Sequence, residues 1–499
     1  MSNLFGAFRL TDRAERVALV LQKDTNVTYA DLATLAGRIA RRLDDIGVAP
    51  GDRIVVQVDK SHFALALFLA CLQRGAVFVP LNTGYTLQEV SYFIEDAQPK
   101  LVVCHPERLG AITTAAVSLD TTAVTLDSDG SGSLTDRLST PTFDVVSRDP
   151  DDLAAILYTS GTTGRPKGAM LSHANLSSNA HVLKDLWRFT HEDLLLHALP
   201  IYHAHGLFVA CNVLLLAGGR MIFLPKFEIE NVLEALPKAT TMMGIPTFYT
   251  RLLAEDRLTP DLVRHMRLFT SGSAPLLAET HIAWQRRTGH VLLERYGMTE
   301  TGMITSNPYD GDRIAGTVGI ALPGTELRVV DHESGSELPR GKIGMIEVRG
   351  DNVFKGYWRL PEKTATEFKG DAFFITGDLG TIDNRGYVRI VGRGKDLIIS
   401  GGLNVYPKEV ETEIDSLDGV VESAVFGVPH PDFGEAVTAV VVTEKDFSIS
   451  QAEMLKVLAS RLAKFKLPKH ILVVPELPRN AMGKVQKAEL RQQYRGLHG

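Results

Sequence analysis

The sequence predicts an α/β protein with a long N-terminal part of layered α/β structure followed by a small α+β domain. Short apolar, β-branched runs alternate with helical patterns along the first part of the chain, which is typical of α/β layers. At 499 residues the chain is too long for one ordinary core. Turn-forming residues then crowd together between Gly377 and Gly402, as expected at a domain junction. We therefore expect two or more domains.

The elements follow in order from the residue patterns. The stretch from Tyr29 to Ile46 has the spacing of a helix. The apolar stretch from Phe63 to Leu72 is far shorter than the ~20 residues of a membrane-spanning helix, so we expect a buried helix and no membrane partner. The predicted strands are Arg53–Val56, Ala76–Val79, Lys100–Cys104 and Ala154–Leu157, and the polar segment Asp127–Ser133 is predicted to be a surface loop.

Composition narrows the class of function. Hydrophobic residues make up 44% of the chain, charged residues 22%, and the formal net charge is −6, which favours a small substrate over a nucleic-acid partner. Charges such as Arg9 and Asp12 interrupt the N-terminus, so it does not resemble a secretory signal and we expect a cytoplasmic protein. Because Cys71, Cys104 and Cys211 lack C-x-x-C spacing, we predict buried, inert thiols and neither disulfides nor a zinc site.

The segment from Tyr158 to Gly168 has the composition of a phosphate-binding loop. It follows a buried-strand pattern and contains glycines, hydroxyl groups and a lysine, Lys167. Glycines let the backbone approach phosphates and present N–H groups to them, and the lysine adds compensating charge. The spacing differs from a Walker A motif, because Gly164 stands three residues before Lys167 and Gly168 occupies the Ser/Thr position.

Further motifs follow this loop in a fixed order. They are Pro200–Gly206 (PIYHAHG), Ser271–Pro275 (SGSAP), Tyr296–Glu300 (YGMTE), Thr376–Asp378 (TGD), Gly392–Asp396 (GRGKD) and Pro478–Lys484 (PRNAMGK). With this series the chain resembles, over nearly its whole length, the adenylate-forming superfamily of acyl-CoA ligases, luciferases and peptide-synthetase adenylation domains. The resemblance implies a large N-terminal adenylate-forming domain and a small mobile C-terminal domain.

The resemblance also implies that the chain binds ATP, Mg²⁺ and coenzyme A. The residues expected to bind ATP or AMP are Thr159, Ser160, Gly161, Thr162, Thr163, Gly164, Lys167, Gly272, Ser273, Ala274, Glu294, Arg295, Tyr296, Gly297, Thr299, Asp378, Arg393 and Lys484. Within this set the loop would hold the β and γ phosphates, and Tyr296 with the backbone after Ser271 would frame the adenine. Asp378 would accept hydrogen bonds from both ribose hydroxyls, because a carboxylate offers two acceptor oxygens.

The resemblance assigns catalytic roles to Lys484, Thr299, Glu300 and His205. Glu300 would be the magnesium ligand and Thr299 would contact the α-phosphate. Lys484 would stabilise the negative charge that develops while the carboxylate displaces pyrophosphate. Acetylation of Lys484 by a lysine acetyltransferase would remove that charge. His205 would lie beside the acyl group, and His203 with His205 makes a poor metal site without nearby carboxylates or thiols.

The position of Lys395 resembles the hinge of the superfamily. The resemblance therefore divides the chain into an N-terminal AMP-binding and acyl-binding domain of residues 1–394 and a mobile domain of residues 395–499. Rotation about the hinge would remove Lys484 from the site and bring in Ser400, Gly401 and Gly402, where glycines let the pantetheine arm of coenzyme A pass.

Two arginines point to the acid that is activated. Arg295 stands immediately before the YGMTE motif, where fatty and aromatic ligases of the superfamily carry a small or neutral residue, and an unpaired guanidinium beside the pocket calls for an anion. Arg251 lies in a region that lines the acyl pocket in the superfamily. Arginine binds carboxylate through two parallel hydrogen bonds, so Arg251, Arg295, Ser273 and His205 are the expected substrate-binding residues for a short dicarboxylate.

The phrases around these arginines are similar to those of the malonyl-CoA synthetase family. This resemblance implies malonate as substrate and methylmalonate as a second one, since a pocket rejects one added methyl group by only ~1–3 kcal/mol. If Arg251 is a surface charge and Arg295 pairs with a glutamate, the alternative function is that of a short-chain or aryl acyl-CoA ligase. A luciferase-like oxygenase, a protein that loads a carrier protein, and a non-catalytic nucleotide-binding protein are further alternatives.

Overall fold

The structure is a computed structural model that describes residues 3–117, 119–159, 165–331, 333–400, 403–445, 447, 449–480 and 483–497. The chain divides into two compact units. The large unit comprises Met1–Ala315, Ala321–Glu326 and Arg349–Ala372, and the small unit comprises Gly316–Ile320, Leu327–Val348 and Phe373–Gly499. The predicted boundary between residues 394 and 395 lies inside the small unit, and the proposed hinge there stays a prediction.

One sheet of the large unit carries the phosphate-loop motif at its edge. Its strands are β3 (Arg53–Gln57), β4 (Val77–Pro80), β5 (Leu101–Cys104), β6 (Thr122–Thr125), β7 (Leu153–Thr159) and β8 (Lys167–Ser172), in the order β6-β5-β3-β4-β7-β8. The pairs are parallel except for the antiparallel hairpin of β7 and β8. Buried Val, Ile and Leu residues fill these short strands, as expected for a sheet covered on both faces.

The other sheet of the large unit gathers most of the remaining motifs. Its strands are β1 (Val17–Val20), β2 (Asn26–Thr28), β9 (Leu194–His197), β10 (Arg220–Phe223), β11 (Thr241–Gly244), β12 (Leu268–Ser271), β13 (Leu293–Met298), β14 (Gly302–Ser306) and β15 (Ile320–Ala321). The order is β15-β14-β13-β12-β11-β9-β10-β1-β2. Adjacent β9, β11, β12 and β13 run parallel, so the segments that follow them meet at one edge.

Helices of the large unit cover these sheets. They are α1 (Leu4–Ala7), α2 (Tyr29–Ile46), α3 (His62–Arg74), α4 (Leu87–Ala97), α5 (Leu109–Ala115), α6 (His173–Leu186), α7 (Asn212–Ala217), α8 (Ile229–Ala235), α9 (Pro246–Leu253), α10 (Pro260–Val263), α11 (Ala278–Thr288) and α12 (Pro361–Glu367), with a π-helix at His205–Cys211 and 3-10 turns at Leu10–Arg13, Gln22–Asp24 and Pro106–Arg108. In α2, a capping box of Thr28 and Asp31 begins the helix and left-handed Gly47 ends it.

The apolar stretch of α3 is buried within the large unit. Every residue from Ala64 to Gln73 is buried, which confirms the predicted core helix. Among the described residues, no helix combines the length and apolar character needed to cross a membrane. The thiols of Cys71, Cys104 and Cys211 are free and buried, as predicted.

The small unit contains two antiparallel-rich sheets. The first sheet consists of β16 (Thr325–Val330), β17 (Gly344–Gly350), β18 (Phe374–Ile382) and β19 (Val388–Arg393), in the order β16-β17-β18-β19. The boundaries between the two units fall within β15, β16 and β17. The other sheet consists of β20 (Ile398–Ser400), β21 (Leu403–Val405), β22 (Val420–His430), β23 (Gly434–Thr443) and β24 (His470–Val473), with helices α13 (Pro407–Asp415), α14 (Gln451–Leu458) and α15 (Lys487–Gln493) and 3-10 turns at Gly394–Asp396 and Lys464–Lys466. Its core joins α13 and α14 to β22 and β23.

Candidate active site

The two ends of the phosphate-loop motif lie on the strands of the β7–β8 hairpin. Thr159, the last residue of β7, lies opposite Lys167, the first residue of β8. Lys167 is buried, and its ammonium lies 4.0 Å from the centre of the Tyr357 ring. The loop residues Ser160, Gly161, Thr162, Thr163 and Gly164 lie outside the described residues, so the structure places the two ends of the predicted phosphate site.

Helix α4 holds both strands of this hairpin. The Tyr92 hydroxyl donates a hydrogen bond of 2.8 Å to the carbonyl oxygen of Pro166, and the Tyr158 hydroxyl donates one of 2.5 Å to the Asp96 carboxylate. Pro166 and Tyr158 immediately precede Lys167 and Thr159. Tyr92 and Asp96 are four residues apart on one helix and therefore share a face. Neither residue was predicted to belong to the site, because the only signal in the sequence is the i, i+4 spacing of two polar groups on one helix.

Glu300 lies directly beside the ends of the loop. Its carboxylate oxygen Oε1 accepts hydrogen bonds from the Tyr357 hydroxyl at 3.1 Å and from the Thr159 hydroxyl at 3.3 Å. The side chain is buried, so the carboxylate sits among hydroxyl groups next to the predicted phosphate position. Thr299 is half-buried in the turn between β13 and β14. The structure thus brings together Thr159, Lys167 and Glu300, which are far apart in sequence.

Glu300 fits the chemistry of a magnesium ligand. A hard cation prefers carboxylate, phosphate and water oxygens, and Mg²⁺ usually keeps only one or two protein carboxylates in nucleotide sites. Within the part of the chain that the structure describes, no group of three or more His, Cys, Asp or Glu side chains is arranged to hold a metal ion. A buried carboxylate beside the predicted phosphate loop therefore suits Mg²⁺, whose other ligands would include phosphate oxygens.

The segments after β12 and β13 carry the residues that the sequence assigns to the adenine and acid pockets. Glu294 lies opposite Ser271 in the parallel pair, so residues 272–274 and 295–297 emerge side by side. Ser273 has a φ of +72°, in the left-handed region that is strained for a residue with a side chain. A Cβ added to Gly272 would lie 2.5 Å from Nη1 of Arg295, so the backbone passes directly over the guanidinium. The predicted adenine residues Ala274, Tyr296 and Gly297 are each half-buried at this edge.

Arg295 is buried with its charge unpaired. Only 2% of the residue is exposed, and Nε, Nη1 and Nη2 have no hydrogen-bond partner among the described residues. Burial lowers the pKa of this guanidinium to about 10, and the nearby Tyr249 opposes the shift. The alternative in which Arg295 pairs with a glutamate is not observed in the described part of the chain. An unpaired buried cation is costly unless an anion meets it.

Two histidines of the PIYHAHG motif face this guanidinium. Burial, reinforced by Arg295, lowers the pKa of His203 to about 4 and that of His205 well below its usual range. The Nδ1 of His205 lies 3.1 Å from the hydroxyl oxygen of Ser273, while its Nε2 has no hydrogen-bond partner among the described residues. His205, Ser273 and Arg295 therefore lie together, and both imidazoles are neutral at physiological pH. Their role in binding the acid stays a prediction.

Arg251 occupies a different environment from Arg295. It lies in the last turn of α9, is exposed, and its guanidinium lies 4.9 Å from the centre of the Phe227 ring. This exposure agrees with the alternative in which Arg251 is a surface charge. The role of Arg251 in substrate binding stays a prediction.

The small unit gathers the remaining charged residues of the prediction. Nε of Arg393 lies 2.7 Å from Oδ1 of Asp378, across the β18–β19 pair. The Lys484 residue is exposed as a whole, but protein atoms surround its ammonium end and lower its pKa to about 8, with Arg393 adding repulsion and Asp378 opposing it. Asp378, Arg393 and Lys484 therefore form one electrostatic group, although Lys484 lies far from the other two in the sequence.

The predicted hinge and coenzyme A segment lie close together in sequence within this unit. Lys395 is exposed in the 3-10 turn Gly394–Asp396, and the next residue, Asp396, pairs with Arg491 of α15 at 2.6 Å. Ser400 is buried at the end of β20. Gly401 and Gly402 lie outside the described residues.

Comparison with known proteins now identifies the class. The model of the AMP-binding enzyme family matches residues 9–358, and that of the AMP-binding enzyme C-terminal domain matches residues 409–484. The chain belongs to the AMP-binding enzyme family. This confirms the predicted superfamily and its α/β fold.

Individual relatives and solved structures agree over almost the whole chain. A malonate–CoA ligase from Arabidopsis thaliana is 34% identical over 518 residues, which cover 97% of this chain and 83% of the relative. A feruloyl-CoA synthase from Amycolatopsis sp is 36% identical over 482 residues, which cover 94% of each. The crystal structure of ATP-bound MatB from Rhodopseudomonas palustris has a TM-score of 0.98 and 58% identity, and the match covers 100% of both chains.

Proposed function

We propose that the protein is an ATP-dependent malonate–CoA ligase, an acid–thiol ligase that converts malonate, ATP and coenzyme A into malonyl-CoA, AMP and pyrophosphate. The malonate–CoA ligase and the ATP-bound neighbour described above support the reaction class and its substrates ATP and coenzyme A. Methylmalonate is a second expected substrate, since one methyl group changes binding by only ~1–3 kcal/mol.

The buried guanidinium of Arg295 is the observation that carries the choice of acid. Identity to these two relatives does not indicate the acid, because the malonate–CoA ligase and the feruloyl-CoA synthase are about equally identical to this chain. A pocket for a neutral acid gives an unpaired buried cation no counter-charge. A dicarboxylate supplies one, since its second carboxylate binds the guanidinium while its first is activated.

The reaction proceeds in two steps. In the first, a carboxylate oxygen of malonate attacks the α-phosphorus of ATP, the bond to the bridging oxygen breaks, and pyrophosphate leaves. Thr159 and Lys167 would hold the β and γ phosphates, Asp378 and Arg393 the ribose, and the Lys484 ammonium would stabilise the negative charge of the transition state. In the second, the thiolate of coenzyme A attacks the acyl carbon and AMP leaves. We assign the Lys395 hinge and the Ser400 segment to this step.

Mg²⁺ would be held by Glu300 together with the ATP phosphates, and it would neutralise phosphate charge. We expect Glu300→Gln, which keeps the size but removes the charge, to raise the Mg²⁺ concentration for half-maximal activity about tenfold or more. Titrating AMP release with Mg²⁺ at saturating ATP measures this. Tyr357→Phe, which removes a neutral hydrogen bond to the same carboxylate, is the matched control, and an equal shift in both variants would contradict a metal-ligand role.

A coupled AMP-release assay with coenzyme A tests the proposed substrate. We expect malonate, then methylmalonate, to exceed acetate, propionate and succinate. Arg295→Ala is expected to lower kcat/KM for malonate at least about 100-fold, because the second carboxylate then lacks its counter-charge, and to affect acetate much less.

Acetate or an aryl acid outpacing malonate would establish the neutral-acid alternative, as would normal malonate turnover in Arg295→Ala. The same assay on Arg251→Ala tests the second arginine, and an unchanged preference would remove it from the pocket.

Two further proposals concern regulation and location. Acetylation of Lys484 would remove the ammonium charge and suppress the first step; full adenylation by homogeneously acetylated protein would contradict this. A cytoplasmic location stays a prediction.

A further inference from the structure

A lysine–histidine pair, in which His197 is buried and Lys60 is half-buried, lies close to the turn that carries His205. Lys60 follows β3 in the turn that precedes α3, and His197 is the last residue of β9. The Nζ of Lys60 lies 2.8 Å from Nδ1 and 2.8 Å from the carbonyl oxygen of His197, and 4.3 Å from the centre of the Phe223 ring. Enclosure lowers the pKa of Lys60 to about 7, but the nitrogen donates hydrogen bonds in either protonation state. The pair therefore links segments at the carboxyl ends of β3 and β9, which belong to the two different sheets of the large unit.

The geometry fixes the tautomer of His197. Its Nε2 lies 2.8 Å from the carbonyl oxygen of Gly206. A carbonyl can only accept a hydrogen bond, so Nε2 carries the proton and Nδ1 is the acceptor that Lys60 meets. Burial and the neighbouring Lys60 lower the pKa of His197 well below its usual range, so the ring is neutral. Lys60 is therefore the partner at Nδ1 that stabilises this tautomer together with the Gly206 carbonyl.

Through Gly206, His197 contacts the turn that contains His203 and His205. Gly206 follows His205 at the start of the π-helix, and the backbone N–H of Leu207 donates to the carbonyl oxygen of His203 at 3.0 Å. A Cβ at Gly206 would collide with the carbonyl oxygen of Pro200, so the turn is tightly packed. A rotation of the Gly206 peptide would consequently move His205 relative to Ser273 and Arg295. A π-helix at a functional site commonly serves such placement.

We propose that Lys60 is a positioning residue that determines how well the acid pocket binds its substrate. It keeps His197 in the Nε2–H tautomer, and His197 keeps His203 and His205 beside Arg295. Lys60 acts through His197 and not on the reacting atoms. This inference rests on the proposed function only for the identity of the acid.

Two pairs of variants test the relay. Lys60→Met and His197→Phe remove the donors with little change in volume, whereas Lys60→Gln and His197→Gln keep an N–H that can reach the same acceptor. We expect the first two to raise the KM for malonate about tenfold with the KM for ATP within about twofold, and the Gln variants to recover most of the loss. Lys100→Met, which breaks a surface ion pair with Asp120, is the matched control and is expected to change neither constant.

Several outcomes would overturn the inference. A purely structural role would lower thermal stability and change both KM values together, without recovery in the Gln variants. An unchanged KM for malonate in folded Lys60→Met would also reject it. A nitrogen-15 spectrum of the histidine-labelled wild-type enzyme provides a test that needs no variant to fold well, since a protonated Nδ1 on His197 contradicts the relay.

Failure of the proposed function is distinguishable from failure of this inference. The proposed function fails if the wild-type enzyme releases no AMP with malonate. The variants are then assayed with the acid that the panel selects, and the outcomes above are judged on the KM for that acid.

Discussion

At the scale of single residues, burial sets the charge of the acid pocket. Arg295, His203 and His205 all lose solvent, yet the consequences differ because their ordinary pKa values differ. An arginine whose pKa falls to about 10 stays charged at pH 7, whereas a histidine whose pKa falls to about 4 is neutral. Of these three side chains, Arg295 is therefore the one that presents a positive charge to a substrate. The neutral imidazoles contribute hydrogen bonds without repelling it.

The Lys484 ammonium predicts a pH dependence of adenylation. Its pKa is lowered from 10.5 to about 8, so the charged form disappears as the pH rises through about 8. We expect malonate-dependent ATP–pyrophosphate exchange to fall above that pH. Lys484→Arg retains its charge and should lack this basic limb, although its different geometry lowers the rate. Exchange rates measured from about pH 6 to about pH 10 test this, and a wild-type rate that stays level past pH 9 would contradict it.

At the scale of elements, helix α4 contacts the residues at both ends of the predicted phosphate loop. Val90, Phe93 and Ile94 pack into the core beneath β3 and β5, and a capping box of Thr86 and Glu89 begins the helix. With one face fixed in this way, the neighbouring face offers Tyr92 and Asp96 to the two strands of the hairpin. The positions of Tyr158 and Pro166 therefore depend on how α4 packs into the core.

We predict that loosening this attachment weakens ATP binding selectively. Tyr92→Phe and Asp96→Ala each remove one hydrogen bond, worth about 1 kcal/mol or about fivefold in the KM for ATP, and the KM for malonate should not change. Asp96→Asn keeps an acceptor for Tyr158 and should recover part of the loss. Tyr85→Phe, at a ring that packs on Phe93 of the same helix, is the control. Steady-state kinetics with each substrate varied in turn measures the effect; parallel increases in both KM values would indicate general loss of structure.

At the scale of the whole molecule, the small unit holds one charge group of the predicted nucleotide site. Asp378, Arg393 and Lys484 belong to it, whereas Thr159, Lys167, Glu300 and Arg295 belong to the large unit. A two-step reaction that needs Lys484 in one step and the Ser400 segment in the other suits a unit that changes position between steps.

Substitution at the proposed hinge tests whether the small unit changes position between the two steps. Lys395→Pro fixes φ near −65° and restricts the preceding residue. We expect it to leave pyrophosphate exchange within about threefold and to slow malonyl-CoA formation at least about tenfold. Lys395→Ala keeps the backbone free and serves as the control. Single-turnover measurement of each step separates the two effects, and equal slowing of both steps in Lys395→Pro would argue against the hinge.

Local patterns were sufficient for much of this protein. The helix from Tyr29 to Ile46, the buried helix α3 and the strands around them could be predicted because residue spacing and apolar content act within a few turns. Likewise Thr159, Lys167 and Glu300 could be chosen as one group, because residue types suited to phosphate and a hard cation stand in ordered motifs. The environment of Arg251 could not be predicted, because exposure depends on what packs around α9.

The family and the reaction class could be inferred from the sequence, because short motifs in a fixed order indicate both. Three features depend on how the chain folds: the burial of Arg295 without a hydrogen-bond partner among the described residues, the contacts of α4 with the hairpin, and the contact of Lys60 with His197. These contacts join residues 62 positions apart for Tyr158 and Asp96 and 137 for Lys60 and His197. Long-range contacts follow from how sheets and helices pack together, and no local pattern of residues specifies them.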